Sequence, residues 1–313
     1  MSSPVAIIVF PGQGSQRSGM GRDFHEHFAA ARRVYEEASD ALGLDLAALC
    51  FGDDPRLGLT EYAQPAILAT EIAMLRALEA RTDLAVSAWG GHSLGEYTAL
   101  VAAGVLPLAA AARVVRTRGR LMQDAVPAGL GRMTAVIGAD LDLAAIERTI
   151  AGLAVDVAND NSRQQVVLSG LADDVRTAET RLAPMATRLV ALDVSAPFHS
   201  RFMADVEPGV EAVLREASPG LDPARAATVT ANVSGGFHDP DPDAIVDRLV
   251  RQVSGTVRWR SNMDTLRSVG ARVLEIGPAA PLRTFFRTVG IAVQSITSVR
   301  ALAKLTAPPE VIA

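Results

Sequence analysis

Val5 to Phe10 reads VAIIVF, an unbroken apolar run rich in β-branched residues that stops at PGQGSQ. A segment apolar at every position suits a parallel strand buried on both faces, and the glycines after it suit a loop. A helix is expected from about Asp23. The same grammar returns at Leu84, where LAVSAWG leads into GHSLGEY and then the small-residue stretch TALVAAGVL. That order predicts strand, tight turn and helix.

From Arg132 to Leu192 the elements become short and alternate differently. Met133–Ile137 reads as a strand, Leu143–Ala151 as a helix, Val155–Ala158 and Gln165–Ser169 as strands, Asp173–Leu182 as a helix and Arg188–Leu192 as a strand. The order βαββαβ is that of a ferredoxin-like unit. Further strands near Ala227–Ala231 and Val273–Ile276, among helices, return the chain to the first layer. The expected fold is therefore α/β, with 1-130 and 199-313 forming one large parallel-sheet unit, 131-198 an inserted ferredoxin-like subdomain, and a cleft between them. The segment SGGFHDPDPDA at 234–244 reads as a surface loop ahead of a helix, with His238 in solvent.

Composition narrows the function classes. The chain has 313 residues, about half apolar, enough for a sizeable core, and only 4% aromatic, so the core is built from small aliphatic side chains. A net charge of -5 gives no general attraction to nucleic acid or anionic membranes. No stretch reaches the length of a membrane span and the N-terminus has no leader pattern, so the expected location is cytoplasmic. The single cysteine, Cys50, reads as a small buried hydrophobe, and no metal site is expected.

Gly91, His92, Ser93, Leu94 and Gly95 satisfy G-x-S-x-G, the nucleophile elbow. A strand-to-helix turn this sharp needs flanking positions without side chains. It leaves the serine at a helix N-terminus, where the N–H of Leu94 can donate to an oxyanion. The alternative is an ordinary N-cap serine between glycines. A serine needs a base to act as a nucleophile, and there are five histidines. His25 and His27 lie on a charged helical stretch and His238 on a loop, while His92 is expected to point to the opposite face of an extended strand. His199, in SAPFHS, remains. Alone it reads as a partly buried structural histidine; beside an elbow serine it reads as that serine's base.

FPGQGSQ, GHSLGEY, RTRGRLMQ and APFHS, in that order and spacing, resemble the malonyl-CoA:acyl carrier protein transacylases and, equally, the freestanding acyltransferases of polyketide synthases. The likeness runs from about residue 6 to EIGPAAPLRTF at 275–285. It implies a hydrolase-like core with a ferredoxin-like insert and a Ser93–His199 dyad. It also implies that Gln252 orients the histidine through a main-chain carbonyl, and that Gln13 and Leu94 supply the oxyanion N–H groups. The substrate it implies is malonyl-CoA, a coenzyme A thioester, and the partner an acyl carrier protein bearing phosphopantetheine; no permanently bound cofactor is implied.

Helical geometry separates Arg118 from its neighbours. At about 100° per residue, Arg113, Arg116 and Arg120 share one face, and Arg118 lies roughly 140 to 160° away among Val114, Val115, Leu121 and Met122. A buried guanidinium calls for a carboxylate, either an internal Asp or Glu or a ligand's. The resemblance assigns Arg118 to the free carboxylate of a malonyl group. It makes Phe198, beside the histidine, a bulky residue that selects malonyl over branched units. The other three arginines are solvated, or meet coenzyme A phosphates or an acidic carrier protein. Rival readings are an editing acyl hydrolase on the same scaffold, a non-catalytic carrier-protein docking module, and a nucleotide-binding protein. The last lacks the lysine of a phosphate loop.

Overall fold

The computed structural model describes residues 5–127, 129–194 and 196–306. Of the large unit expected from the sequence, residues 1–4 and 307–313 lie outside the described residues, as do 128 and 195 at the borders of the insert.

Among the described residues eight strands form two sheets: β1 (Val5–Phe10), β2 (Ala85–Gly91), β3 (Gly131–Ile137), β4 (Val155–Ser162), β5 (Gln165–Leu171), β6 (Arg188–Ala191), β7 (Arg272–Ile276) and β8 (Val293–Ile296). The first sheet has the order β2-β1-β7-β8 and is parallel throughout. The continuous apolar run in β1 follows from its central place. Ala6, Ile8 and Phe10 pack with the long helix Thr60–Glu79, whereas Ile7 and Val9 meet Trp259, Met263 and Phe286 on the other face. Both faces are covered from Ala6 to Phe10, so no position there is left for a polar residue, and only Val5 at the strand's start is exposed.

The second sheet is antiparallel with the order β4-β5-β3-β6. Helices Leu143–Ile150 and Ala172–Leu182 supply Ile146, Ile150, Val175 and Ala178 to a separate small core. This is the ferredoxin-like arrangement: the two central strands are the first and third of the unit. The chain thus has an α/β fold with a hydrolase-like parallel sheet and an inserted antiparallel one. The antiparallel sheet is tied to the larger unit along its edge strand β4, where Asp160 N–H donates to the Val257 carbonyl (3.0 Å) and Val257 N–H to that of Ala158 (2.9 Å), just ahead of the helix Trp259–Ser268.

The strand expected near Ala227–Ala231 is reduced to two bridging residues, Val229 beside Trp89 and Thr230 opposite Phe237. A 3-10 turn occupies Pro223–Thr228. Downstream the backbone folds back at once, with Gly235 N–H donating to the Ala231 carbonyl at 2.9 Å. Too little extended chain remains between the two turns to build a strand.

Candidate active site

The elbow stands at the carboxyl end of β2, where Ser93 caps the helix Leu94–Ala102. A β-carbon added to Gly91 would lie 1.9 Å from the Gly95 carbonyl carbon, and one added to Gly95 would lie 2.3 Å from the Phe10 oxygen. Only glycines let this helix close against β1 so tightly. Ser93 itself has φ 53° and ψ -105°. It and His199 (φ 55°) are the non-glycine residues with positive φ among those described. Such backbone is costly for a residue with a β-carbon, and its coincidence at two facing residues marks a site.

Ser93 Oγ lies 2.7 Å from His199 Nε2. On the far side of the ring, Nδ1–H donates to the Gln252 main-chain carbonyl at 2.8 Å, which leaves the Nε2 lone pair to accept the serine proton. Burial, with the Arg118 cation as the next cause, pushes the His199 imidazole down to about 3. The ring is therefore neutral, the form a general base must start in.

The loop after β1 crosses directly over the elbow. A β-carbon on Gly12 would touch the His92 carbonyl oxygen at 2.3 Å and lie 3.7 Å from the Leu94 nitrogen. The Gln13 side chain is tied to Thr60 Oγ1 at 3.1 Å. The N–H groups of Gln13 and Leu94 have no backbone or side-chain acceptor among the described residues, and both residues line the cavity that holds Ser93. Two free donors beside a nucleophile suit an oxyanion.

Arg118 is 1% exposed and points inward, as its helical position predicts. Nη1 donates to Gln64 Oε1 (2.9 Å), and Nη2 to Gln252 Oε1 (2.8 Å) and Ser93 Oγ (3.3 Å). Its guanidinium stacks 5.4 Å above the Tyr97 ring, and Nε has no hydrogen-bond partner among the described residues. Among the described residues no carboxylate forms an ion pair with it. Of the two partners open to it from sequence, the internal one is absent. Burial draws its pKa downward, opposed by Tyr97 and Glu96.

These groups surround a cavity of about 490 Å³ between the two sheets, closed on its other side by Phe198, Leu192, Val194 and Met133. Phe198 is buried and lines the same cavity as Ser93 and His199. A larger, more open groove of about 930 Å³ borders His199 from the side of Asp156, Arg201 and Thr256 but includes neither Ser93 nor Arg118. Ser93, His199 and Arg118 meet in the smaller space. Among the described residues no group of three or more His, Cys, Asp or Glu is placed to hold a metal ion.

A family model described as the acyl transferase domain matches residues 7–281. The chain belongs to the acyl transferase domain family. Among its curated relatives is the malonyl CoA-acyl carrier protein transacylase of Bacillus subtilis strain 168, 39% identical over 296 residues that make up 92% of each chain. The malonyl-CoA:acyl carrier protein transacylase of Xanthomonas oryzae superposes with TM-score 0.89 at 36% identity, covering 98% of both chains. A malonyl-transacylase solved in complex with its type II polyketide synthase acyl carrier protein does so with TM-score 0.88 at 36% identity, covering 96% of this chain and 98% of that one.

One histidine of this acyl transferase sits differently from its sequence expectation. His238 is not in solvent. It is 2% exposed, and its Nε2 lies 2.8 Å from Glu96 Oε1, because the loop carrying it folds back under the elbow. The His92 ring packs against Trp259 and Phe285, with ring centroids 5.6 and 6.5 Å away, its Nε2 lies 2.7 Å from Asn161 Oδ1, and the residue borders the cavity of the serine. Of the three outer arginines, Arg113 and Arg120 are exposed, while Arg116 is paired with Glu61 at 3.1 Å.

Sequence reasoning missed the polar layer beneath the dyad: Gln64, Glu96, Asn232 and Asn262, all buried. Asn232 Oδ1 accepts the Ser93 N–H at 2.7 Å, and Asn232 Nδ2 donates to the Gly91 carbonyl and to Asn262 Oδ1. One signal was available: Glu96 is a lone charge in the otherwise apolar helix LGEYTALVA.

Proposed function

We propose that this protein moves a malonyl group from coenzyme A to the phosphopantetheine thiol of an acyl carrier protein through an acyl-serine at Ser93. The observation that carries the reading is a buried guanidinium without a carboxylate partner, one hydrogen bond from a serine already paired with a neutral histidine. Relatives named as malonyl transacylases over nearly their whole length, one of them solved with its carrier protein, support the same donor and acceptor.

In the first half-reaction the thioester carbonyl carbon of malonyl-CoA lies over Ser93 Oγ. His199 Nε2 takes the serine proton as Oγ attacks, and the carbonyl oxygen gains negative charge between the N–H groups of Gln13 and Leu94. The carbon–sulfur bond then breaks, and the imidazolium returns the proton to the departing thiolate, releasing coenzyme A. In the second half the carrier's thiol gives its proton to His199 and attacks the acyl-serine. Ser93 Oγ leaves and recovers that proton. Gln252 keeps His199 in the reactive tautomer through its main-chain oxygen. Arg118 grips the free malonyl carboxylate, its fork matching two carboxylate oxygens. Phe198 fills the space beside the malonyl C2, where a branch methyl would go.

Nucleophile, base and oxyanion donors all come from the chain, so coenzyme A enters as part of a substrate. Residues 131-198 act in this reading as an inserted unit that roofs the cleft of 1-130 and 199-313. Among the described residues no helix is long and apolar enough to cross a membrane, and a cytoplasmic location belongs to the proposal. Mixing the protein with malonyl-CoA should give a malonyl adduct by intact mass, which an acyl carrier protein then removes. Ser93→Ala should abolish the adduct; its survival in that variant would remove Ser93 from the mechanism.

A further inference from the structure

Behind the dyad lies a second layer of titratable groups that the mechanism above does not use. Glu96 is wholly buried, yet neither of its oxygens meets a lysine or arginine. Oε2 accepts from Gln252 Nε2 (2.7 Å) and from the Asn232 N–H (3.1 Å). Oε1 faces His238 Nε2 at 2.8 Å. A buried carboxylate is kept only where several donors hold it, and here three converge.

What those donors do next gives the carboxylate a role. Gln252 is the one residue that joins all three groups of the reaction. Its side-chain Oε1 accepts from Arg118, its Nε2 donates to the Ser93 carbonyl at 2.9 Å, and its main-chain oxygen holds His199. The side-chain amide has two orientations of nearly equal shape, and only one presents oxygen to the guanidinium. Glu96 is an acceptor at every pH at which its carboxyl is ionised, so it takes the NH2 end and leaves the oxygen for Arg118. Through Asn232, which accepts the Ser93 N–H, the same carboxylate also steadies the strained nucleophile.

We infer that Glu96, held in place by His238, is a positioning residue that sets the Gln252 amide and thereby aims Arg118 at the substrate carboxylate. This deepens the proposed malonyl transfer and rests on it. Glu96 touches no substrate atom. Its effect should appear where Arg118 acts, in the discrimination between a carboxylated acyl group and an uncharged one.

The isosteric change Glu96→Gln is the informative one. With its carbonyl kept toward Gln252 and Asn232, the new NH2 group would confront His238 Nε2–H. The ring can relieve this only by moving its hydrogen to Nδ1, which has no partner among the described residues. With the amide turned the other way, Gln252 loses its acceptor. The first arrangement replaces the anionic acceptor of Gln252 by a weaker amide oxygen, and the second leaves Gln252 free to flip.

The test compares kcat/KM for malonyl-CoA and acetyl-CoA in the wild type, Glu96→Gln, Arg118→Ala and the double variant. The expected result is a fall of about tenfold in the malonyl-to-acetyl preference for Glu96→Gln, and no further fall when it is added to Arg118→Ala, because both act through one contact. An equal loss with both thioesters, or a loss that multiplies with that of Arg118→Ala, would mark Glu96 as structural only and overturn the inference. Should Glu96→Gln not fold, His238→Gln carries the same comparison from the outer end of the chain of bonds. A wild type that takes no malonyl group would instead sink the proposed function, so the two failures are told apart.

Discussion

Arg118 and His199 constrain one another. The cation contributes to holding the imidazole neutral, and the neutral imidazole leaves the cation unopposed for a substrate carboxylate. A histidine at its usual value would lose half its base form near about pH 6.5. With the ring pushed down to about 3, kcat/KM should stay flat as pH falls well below that point. The sign for stability is opposite in appearance but follows from the same shift. The unfolded chain takes up a proton that the folded one refuses, so the folding contribution of His199 is whole above about pH 6.5 and declines on acidification. In Arg118→Ala, followed with acetyl-CoA so that no carboxylate clamp is needed, the acid limb of kcat/KM should move up toward the ordinary histidine range. A limb that does not move would show that burial alone sets the ring.

At the scale of single elements, the elbow was the most legible part of the chain. VAIIVF and LAVSAWG announce buried strands, and paired glycines around a serine announce the turn, because each follows from local sterics. His238 was illegible for the opposite reason. Its partner Glu96 is 142 residues away, and no local periodicity records a loop folding back beneath another element. Gly95 offers a test of the elbow as a unit. A methyl group there meets the Phe10 carbonyl at 2.3 Å, which cannot yield without moving β1. Gly95→Ala should cost roughly 1–3 kcal/mol of stability, seen as a lower Tm, and should slow acyl-serine formation more than it weakens binding, since Leu94 and Ser93 shift together. Unchanged adduct kinetics would mean that the turn has more slack than its contacts imply.

For the molecule as a whole, the order of strands and helices was enough to separate a parallel sheet from a βαββαβ insert. Each sheet has its own periodicity and its own core. How the antiparallel sheet is tied to the larger unit was not readable, because two main-chain hydrogen bonds between Ala158–Asp160 and Val257 depend on the placement of residues almost a hundred positions apart. That seam runs along the free edge of β4, and it closes an edge that would otherwise invite pairing with another chain. It also lies at one end of the cleft, and β6 lies at the far edge of the same sheet. A substrate as long as a coenzyme A thioester has to enter, leave and be replaced by a protein-borne arm within one turnover. If the roof lifts to admit each, it pivots like a book about its spine: amide protons of Asp160 and Val257 should exchange with deuterated water slowly and together, and those of Leu189 and Val190 in β6 much sooner, with malonyl loading slowing the latter group alone.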